Sequence, residues 1–385
     1  IKDKIKIVCV IDSLGVGGAE RLLVSLLPNI SSDRVCIDVI SLFTDISLSQ
    51  ELEQKGVNVL SLGSSYRWNI FSITFKLFRV IKSKKYDIIW GHLYFGNLYS
   101  ALVKYFFSNL HVIWTLHSPR NAMSTPEHQF KFKLRGFIEK FLGKHKVDKI
   151  VAVSNSVALD YKNSMGWKNI NVIYNGVVIS DFPKKAILKK KREIREKYNI
   201  CSNDFLIVTP GRYSPEKGHS VMASALNFLI NKNNNKKLKW IAVGSGGYKH
   251  FLEGLIISYN LKDKVVLLDS MPHLDVLNLV QSANLVVLPS IRESFGISAV
   301  EAMCLGVPLI VSDVDGLTEV VVDGAGIRVN PNDSEGLSKA ISTLMKNEGK
   351  RQDISRFAKI YACKKFNIKL STIEWVKVFY NIESL

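Results

Sequence analysis

Leu285-Val286-Val287-Leu288-Pro289-Ser290 runs through Ile291 into Arg292-Glu293-Ser294-Phe295-Gly296-Ile297-Ser298-Ala299-Val300-Glu301-Ala302-Met303. The first segment has the length and branched apolar content of a strand buried on both faces. The last reads as a helix that opens behind a glycine. Glu293 therefore falls at the carboxyl end of a strand, and Glu301 lies within the next helix, about two turns on. In a doubly wound sheet such a loop faces the ligand crevice. Two glutamates at this spacing are common by chance, so the meaning comes from what surrounds them.

Working outward, strand-like runs alternate with helical segments along the whole chain. Before Asn175-Gly176 they are Lys6–Ile11, Val35–Leu42, Val57–Leu60, Asp87–Trp90, His111–Leu116, Lys149–Val153 and Asn171–Ile173. After it they are Phe205–Thr209, Leu238–Val243, Val265–Leu268, Leu285–Leu288, Leu309–Val311 and Gly326–Val329. Alternation of this kind predicts parallel sheets with helical crossovers. A chain of 385 residues suits two such domains. The expected division is 1–180 and 181–364. A closing amphipathic helix at 365–385, with Phe366, Leu370, Ile373, Val376 and Phe379 on its apolar side, is expected to pack back on the first domain.

The five cysteines show no metal-ligand spacing, and Cys9 and Cys304 sit in apolar runs, which fits a reducing compartment. The apolar run Ile5–Leu14 is too short to span a bilayer and reads as a first strand. The net charge of +18 is clustered. Lys76–Lys149 holds fourteen basic and four acidic residues, and Lys184–Lys197 holds eight and two. Clustered positive charge points to an anionic partner surface: bilayer, nucleic acid or polyanion.

Four loops carry candidate chemistry, each behind a strand. Gly15-Val16-Gly17-Gly18-Ala19-Glu20-Arg21 allows close backbone approach and offers helix-start amides to a phosphate. The dinucleotide spacing is incomplete there, so the loop argues weakly for NAD. Gly211-Arg212-Tyr213-Ser214-Pro215-Glu216-Lys217-Gly218 sets a guanidinium fork and an ammonium five residues apart, a pair suited to pyrophosphate. Val243-Gly244-Ser245-Gly246-Gly247 offers a further glycine turn. In the opening loop, the amides of Phe295, Gly296 and Ile297 can meet phosphate or sugar oxygens. Glu301 can accept from a ribose diol, and Glu293 can bind sugar hydroxyls or stabilise positive charge at a sugar carbon. His117 closes an apolar strand, and His92 sits similarly in Trp90-Gly91-His92; each is also compatible with a structural histidine. No nucleophile elbow or phosphate-binding lysine loop is present.

Taken in order, these residues resemble the family 4 glycosyltransferases over nearly the whole chain. The likeness rests on Gly17-Gly18-Ala19-Glu20-Arg21, Gly211-Arg212 with Glu216-Lys217-Gly218, Val243-Gly244-Ser245-Gly246, and Glu293-Ser294-Phe295-Gly296 with Glu301-Ala302-Met303 and Gly306-Val307-Pro308. The resemblance implies a GT-B fold, two Rossmann-like doubly wound domains facing a central cleft, and retaining transfer from a sugar nucleotide. It implies that Arg212 and Lys217 hold the donor diphosphate and that Glu301 holds the ribose. Glu293 and the Phe295-Gly296-Ile297 amides would hold the moving sugar, Gly17, Gly18 and Gly244 would lie near the nucleotide, and His117 would meet the sugar. It also implies no cofactor and no metal, because Arg and Lys neutralise the leaving diphosphate. Ser294 stands where the family often has Gly, and Asn175-Gly176-Val177-Val178 lacks the acidic residue often found there.

Two basic helices acquire an expected role in this setting. Phe71–Lys85 and Phe130–Leu142 mix aromatic residues with Lys and Arg at helical spacing, which suits attachment to an anionic bilayer. The expectation is a peripheral enzyme on the cytoplasmic face of the membrane. It would use a UDP-sugar donor and a lipid-linked glycan acceptor in bacterial O-antigen, capsule or exopolysaccharide synthesis. A sugar-nucleotide epimerase of similar fold is the rival enzyme. A nucleic-acid-binding protein is the rival of another class, disfavoured because the aromatics follow helical patterns and do not line a binding sheet.

Overall fold

The computed structural model describes residues 4–15, 17–31, 34–120, 129–178, 184–232 and 237–383. The chain forms two compact units: residues 1–178 with 366–385, and residues 179–365. Each is built on one parallel sheet.

In the first unit β1 (Ile5–Ile11), β2 (Val35–Phe43), β3 (Val59–Ser64), β4 (Ile88–His92), β5 (His111–Leu116), β6 (Lys149–Ala152) and β7 (Ile170–Val172) lie in the order β3-β2-β1-β4-β5-β6-β7. In the second, β8 (Phe205–Pro210), β9 (Leu238–Val243), β10 (Val265–Leu268), β11 (Leu285–Leu288), β12 (Leu309–Ser312) and β13 (Ile327–Val329) lie in the order β10-β9-β8-β11-β12-β13. Every pairing is parallel. The central strands are buried on both faces, which explains why they read as unbroken apolar runs. In each sheet the order reverses next to the first strand, between β1 and β4 and between β8 and β11. A doubly wound sheet opens its ligand crevice at that point, beyond the carboxyl ends of the strands.

The end of the chain differs from its sequence reading. The helix Glu348–Lys365 stops, and Phe366-Asn367 pairs with Val177 before a separate helix, Ile368–Glu383, begins. Val177 N donates to Phe366 O at 2.8 Å, and Ile368 N donates to Val177 O at 3.0 Å. That break resets the helical phase. Leu370 and Ile373, expected on the apolar side, are 45% and 51% exposed. The buried face is Ile368, Trp375, Val378, Phe379 and Ile382, which joins the core of the first unit. Trp375 dictates the choice: its ring lies 4.3 Å from Trp90, a side chain of β4 that is fully buried.

Trp375→Ala should therefore cost the first unit about 3–5 kcal/mol of stability, by lost transfer energy and a cavity over Trp90. Ile373→Ala on the same helix should stay within about 0.5 kcal/mol of wild type. Urea unfolding of the two variants checks this, and equal losses would contradict the assigned face.

Candidate functional site

The reversal point of the second sheet brings together the loops that follow β8 and β11. After β8 the chain passes Gly211, exposed Arg212 and buried Tyr213. The Tyr213 hydroxyl donates to Leu268 O at 2.7 Å, fixing the loop to the end of β10. A short turn, Pro215–Lys217, then leads to Gly218 and the helix His219–Asn227. Gly218 has φ +66°, and a Cβ there would lie 1.8 Å from the carbonyl oxygen of Pro289. The two loops can touch only because this residue has no side chain. Ile291 N donates to Glu216 O at 2.8 Å across the same contact.

The clamp places Lys217 beside Glu293, Nζ to Oε2 at 2.6 Å, with both side chains mostly buried. Ser290 Oγ stands 3.5 Å from the same carboxylate oxygen. Gly244 closes the adjoining edge, since a Cβ there would meet Gly211 O at 2.0 Å. Beyond Glu293, Phe295 is buried and contributes its main chain. Gly296 has φ +88° and opens the helix Ile297–Cys304, whose first turn has no side-chain cap. Amides at such a helix start, with the helix dipole behind them, suit an anion or a hydroxyl-rich ligand. Arg212 is exposed and forms no ion pair among the described residues, its charge acting on the neighbouring Glu216 carboxylate.

Glu301 has a partner that the sequence reading missed. His273 Nε2 donates to Glu301 Oε1 at 2.7 Å. His273 follows β10 and begins the helix His273–Ser282. A histidine opening a helix behind a strand was the only signal available, and nothing in its spacing ties it to a residue 28 positions later.

At the reversal point of the first sheet, Gly17 precedes and Gly18 begins the helix Gly18–Ile30. Asp12, at the end of β1, accepts from Gly96 N at 2.8 Å, and burial pushes its carboxyl up to about 7 against the pull of that bond and of Arg67. His117 at the end of β5 and His92 at the end of β4 are bonded, Nε2 to Nδ1 at 2.9 Å. Burial holds His117 down to about 4 and His92 well below the usual range. Both rings are thus neutral near pH 7 and share one hydrogen, so each fixes the other's tautomer. Their bond was invisible while they were read as two separate histidines.

An Asp-x-Asp triplet, Asp313-Val314-Asp315, qualifies the expectation that Arg and Lys replace an acidic metal-binding pair. Both carboxylates are exposed, and Asp313 lies 3.8 Å from the Arg328 guanidinium. No cluster of three or more His, Cys, Asp or Glu with metal-binding geometry occurs among the described residues.

The comparisons match this architecture. The model of glycosyl transferases group 1 matches residues 190–361, and that of Glycosyltransferase Family 4 matches residues 16–181. The chain belongs to the family 4 glycosyltransferases. It is 33% identical to the O-antigen chain mannosyltransferase RfbU of Salmonella typhimurium, over 64% of this chain and 63% of that protein. It is 27% identical to an Escherichia coli UDP-Gal:alpha-D-GlcNAc-diphosphoundecaprenol alpha-1,3-galactosyltransferase, over 67% and 66%. The solved structure of Anabaena Alr3699/HepE in complex with UDP-glucose shares the fold, with a TM-score of 0.83 at 22% identity over 99% of this chain and 100% of that one. This family 4 glycosyltransferase thus has the GT-B fold, and it is an enzyme that transfers a glycosyl group.

One buried group under the clamp gives a measurable pH effect. His219 is fully buried between Tyr213 and Trp240, neither ring nitrogen has a partner, and burial lowers it to about 4. The unfolded chain takes this proton near 6.5 and the folded chain near 4, so its contribution to stability is lost as pH falls through that window. Between pH 7 and pH 4, His219→Leu should gain about 3 kcal/mol relative to wild type. Buried carboxyls with raised pKa values, Asp12 and Glu139, act in the opposite sense but are common to both proteins and cancel in the difference. Thermal unfolding at the two pH values measures the gap; a constant gap would contradict a neutral buried ring.

Proposed function

We propose that the enzyme is a retaining transferase that moves a hexose or N-acetylhexosamine from a UDP-sugar to a lipid-linked glycan acceptor in bacterial surface-polysaccharide synthesis. The observation that carries the donor reading is the Lys217–Glu293 pair at the sheet's reversal point, with Arg212 exposed on the same loop. As the bond from sugar to diphosphate breaks, charge grows on the leaving oxygens. Lys217 and Arg212 stabilise that charge without a metal ion. The Glu293 carboxylate, held by Lys217 and near Ser290, faces the sugar and stabilises positive charge at its anomeric carbon. The amides of Phe295, Gly296 and Ile297 bind the sugar's oxygens, and His117 meets a sugar hydroxyl in the tautomer set by His92. Glu301, oriented by His273, accepts from the ribose diol. The glycines Gly17, Gly18 and Gly244 admit the nucleotide and the acceptor.

The names of similar proteins support the same substrate class. One acts from UDP-Gal on a diphosphoundecaprenol-linked sugar, and another extends O-antigen. A lipid-linked acceptor would place the enzyme on the cytoplasmic face of a membrane, held through the basic helices of its first unit. No helix among the described residues is long and apolar enough to cross a membrane.

A panel of UDP-sugars with UDP release as readout tests the proposal. The expected result is release that rises with a lipid-linked acceptor. A changed nucleotide sugar formed without acceptor would instead mark an epimerase. Lys217→Ala should lower turnover about 100-fold at saturating donor, because it acts on charge that grows in the transition state. Undiminished turnover would remove Lys217 from that role. Glu301→Ala should raise the donor KM about 10-fold or more with turnover little changed, as loss of a charged hydrogen bond predicts.

A further inference from the structure

Three residues past His117 the chain leaves β5 at Arg120, and that side chain lies across the helix Gln129–His145. A Cβ at Gly136 of the helix would stand 1.7 Å from Arg120 Nη2 and 2.7 Å from its Cζ. The guanidinium can occupy this place only because residue 136 has no side chain. Further along the same helix, Glu139 Oε2 lies 3.8 Å from Arg120 Nε, with the arginine side chain 15% exposed and the glutamate 12%. The main chain is held as well: Arg120 N donates at 2.7 Å to Asp160 Oδ2, from the helix Asn155–Met165. A glycine inside a helix and a largely buried ion pair each cost stability. Both occur here, around a single arginine, at the exit from the strand that presents His117.

A second set of groups adjoins Glu139. It lines a small void with Tyr94, Asn97, Leu98 and Trp114. Asn97 is 6% exposed and its Oδ1 has no partner, nor has the Tyr94 hydroxyl. Asn97 Nδ2 donates to Thr115 O at 3.1 Å, so this side also leads to β5. An ionised Glu139 accepts from Tyr161 and attracts Arg120. A protonated Glu139 has a hydrogen to give, and Asn97 Oδ1 is a buried acceptor without one. Burial pushes the carboxyl up to about 7, against the hydrogen bond from Tyr161 and the charge of Arg120, so both forms are accessible near neutral pH. The other charged groups nearby are Asp160, which acts on Tyr161, and Arg135, which lies over the rings of Trp68 and Tyr94.

We propose that Arg120 and Glu139 are positioning residues for His117, tethering the end of β5 to the helix Gln129–His145 through a guanidinium seated on Gly136. The tether is made while Glu139 is ionised and lets go when Glu139 is protonated and turns to Asn97. It is present above about pH 7 and lost as pH falls through that value. This rests on the reading that His117 meets the sugar, and adds the residues that aim it. Stability runs the other way. The folded carboxyl takes its proton near 7 and the unfolded one near 4.5, so this group's contribution to stability is lost as pH rises through that window. The side chain introduced by Glu139→Gln approximates the protonated carboxyl. That variant should therefore melt no lower than wild type at pH 8 although the end of β5 is loosened. A purely structural pair predicts instead that stability and local order fall together.

The experiment is hydrogen exchange over residues 115–120 of the full chain at pH 8 and pH 6, each rate scaled to that of an unstructured chain at the same pH. In wild type the scaled rate should be about tenfold slower at pH 8 than at pH 6. Glu139→Gln should exchange at the faster rate at both pH values. Gly136→Ala should do the same, because its methyl displaces the guanidinium, although alanine by itself favours the helix. Asp12 also titrates near 7, but it is common to the three proteins and cancels in their differences. With UDP release as a second readout, both variants should lose about tenfold in turnover at pH 8 with donor KM little changed, as misplacement of one aligned group predicts. Equal exchange in the three proteins overturns the proposal, as does loosening that leaves turnover unchanged. A Glu139→Gln variant that melts lower than wild type at pH 8, in step with its faster exchange, also overturns it. Exchange needs no sugar nucleotide, so if wild type releases no UDP from any UDP-sugar, the donor reading falls and exchange alone decides the tether.

Discussion

The contact between Gly218 and the Pro289 carbonyl holds together the two loops at the reversal point of the second sheet. A Cβ at position 218 would stand 1.8 Å from that oxygen, so the loops after β8 and β11 meet only through a residue without one. Once they meet, Lys217 and Glu293 are 2.6 Å apart. Neither position has meaning alone: a lysine on a free loop is a solvated cation, and a glutamate at a strand's end is a solvated anion. Their proximity makes a preorganised pair whose attraction is strengthened by partial burial. The same clamp buries His219 without a partner, an energetic cost that the fold accepts in return for the close approach.

The pair also explains why the two cations of this loop differ in duty. Lys217 is already engaged by a carboxylate, so its charge is partly compensated before any ligand arrives. Arg212 is exposed and, beside its attraction to Glu216, forms no ion pair among the described residues, so in the proposed site it would meet an incoming anion first. In the proposed reaction, negative charge developing beside Lys217 would draw it away from Glu293, and the freed carboxylate would face positive charge developing next to it.

Much of the fold was legible because parallel sheets buried on both faces write themselves as uninterrupted apolar runs. Each of the thirteen strands among the described residues lies on a run read from the sequence, with boundary shifts of a few residues. The glutamates 293 and 301 were legible because a strand, a glycine loop and a helix must place them where they are. The closing helix was misread because its phase is set by a break at Phe366-Asn367, which exists only through pairing with Val177 far away in the chain. Periodicity cannot report a tertiary bond, so Leu370 and Ile373 were placed on the apolar side and Trp375, which anchors the helix, was left off it.

The same limit hid the partnerships within the site. His273 and Glu301 are joined by folding, as are His92 and His117, and none of these residues carries a local pattern naming its partner. Under the proposed function these bonds would orient the groups that meet the donor. A carboxylate fixed by an imidazole presents its second oxygen in one direction, and a histidine whose tautomer is fixed presents either a donor or an acceptor, not both. Inverting one sugar carbon moves a hydroxyl away from the group that met it and leaves that group unpaired. In the proposed site His92, behind the residue that meets the sugar, is the position at which donor-sugar preference is best sought, whereas His273 lies behind the ribose contact and bears on donor affinity.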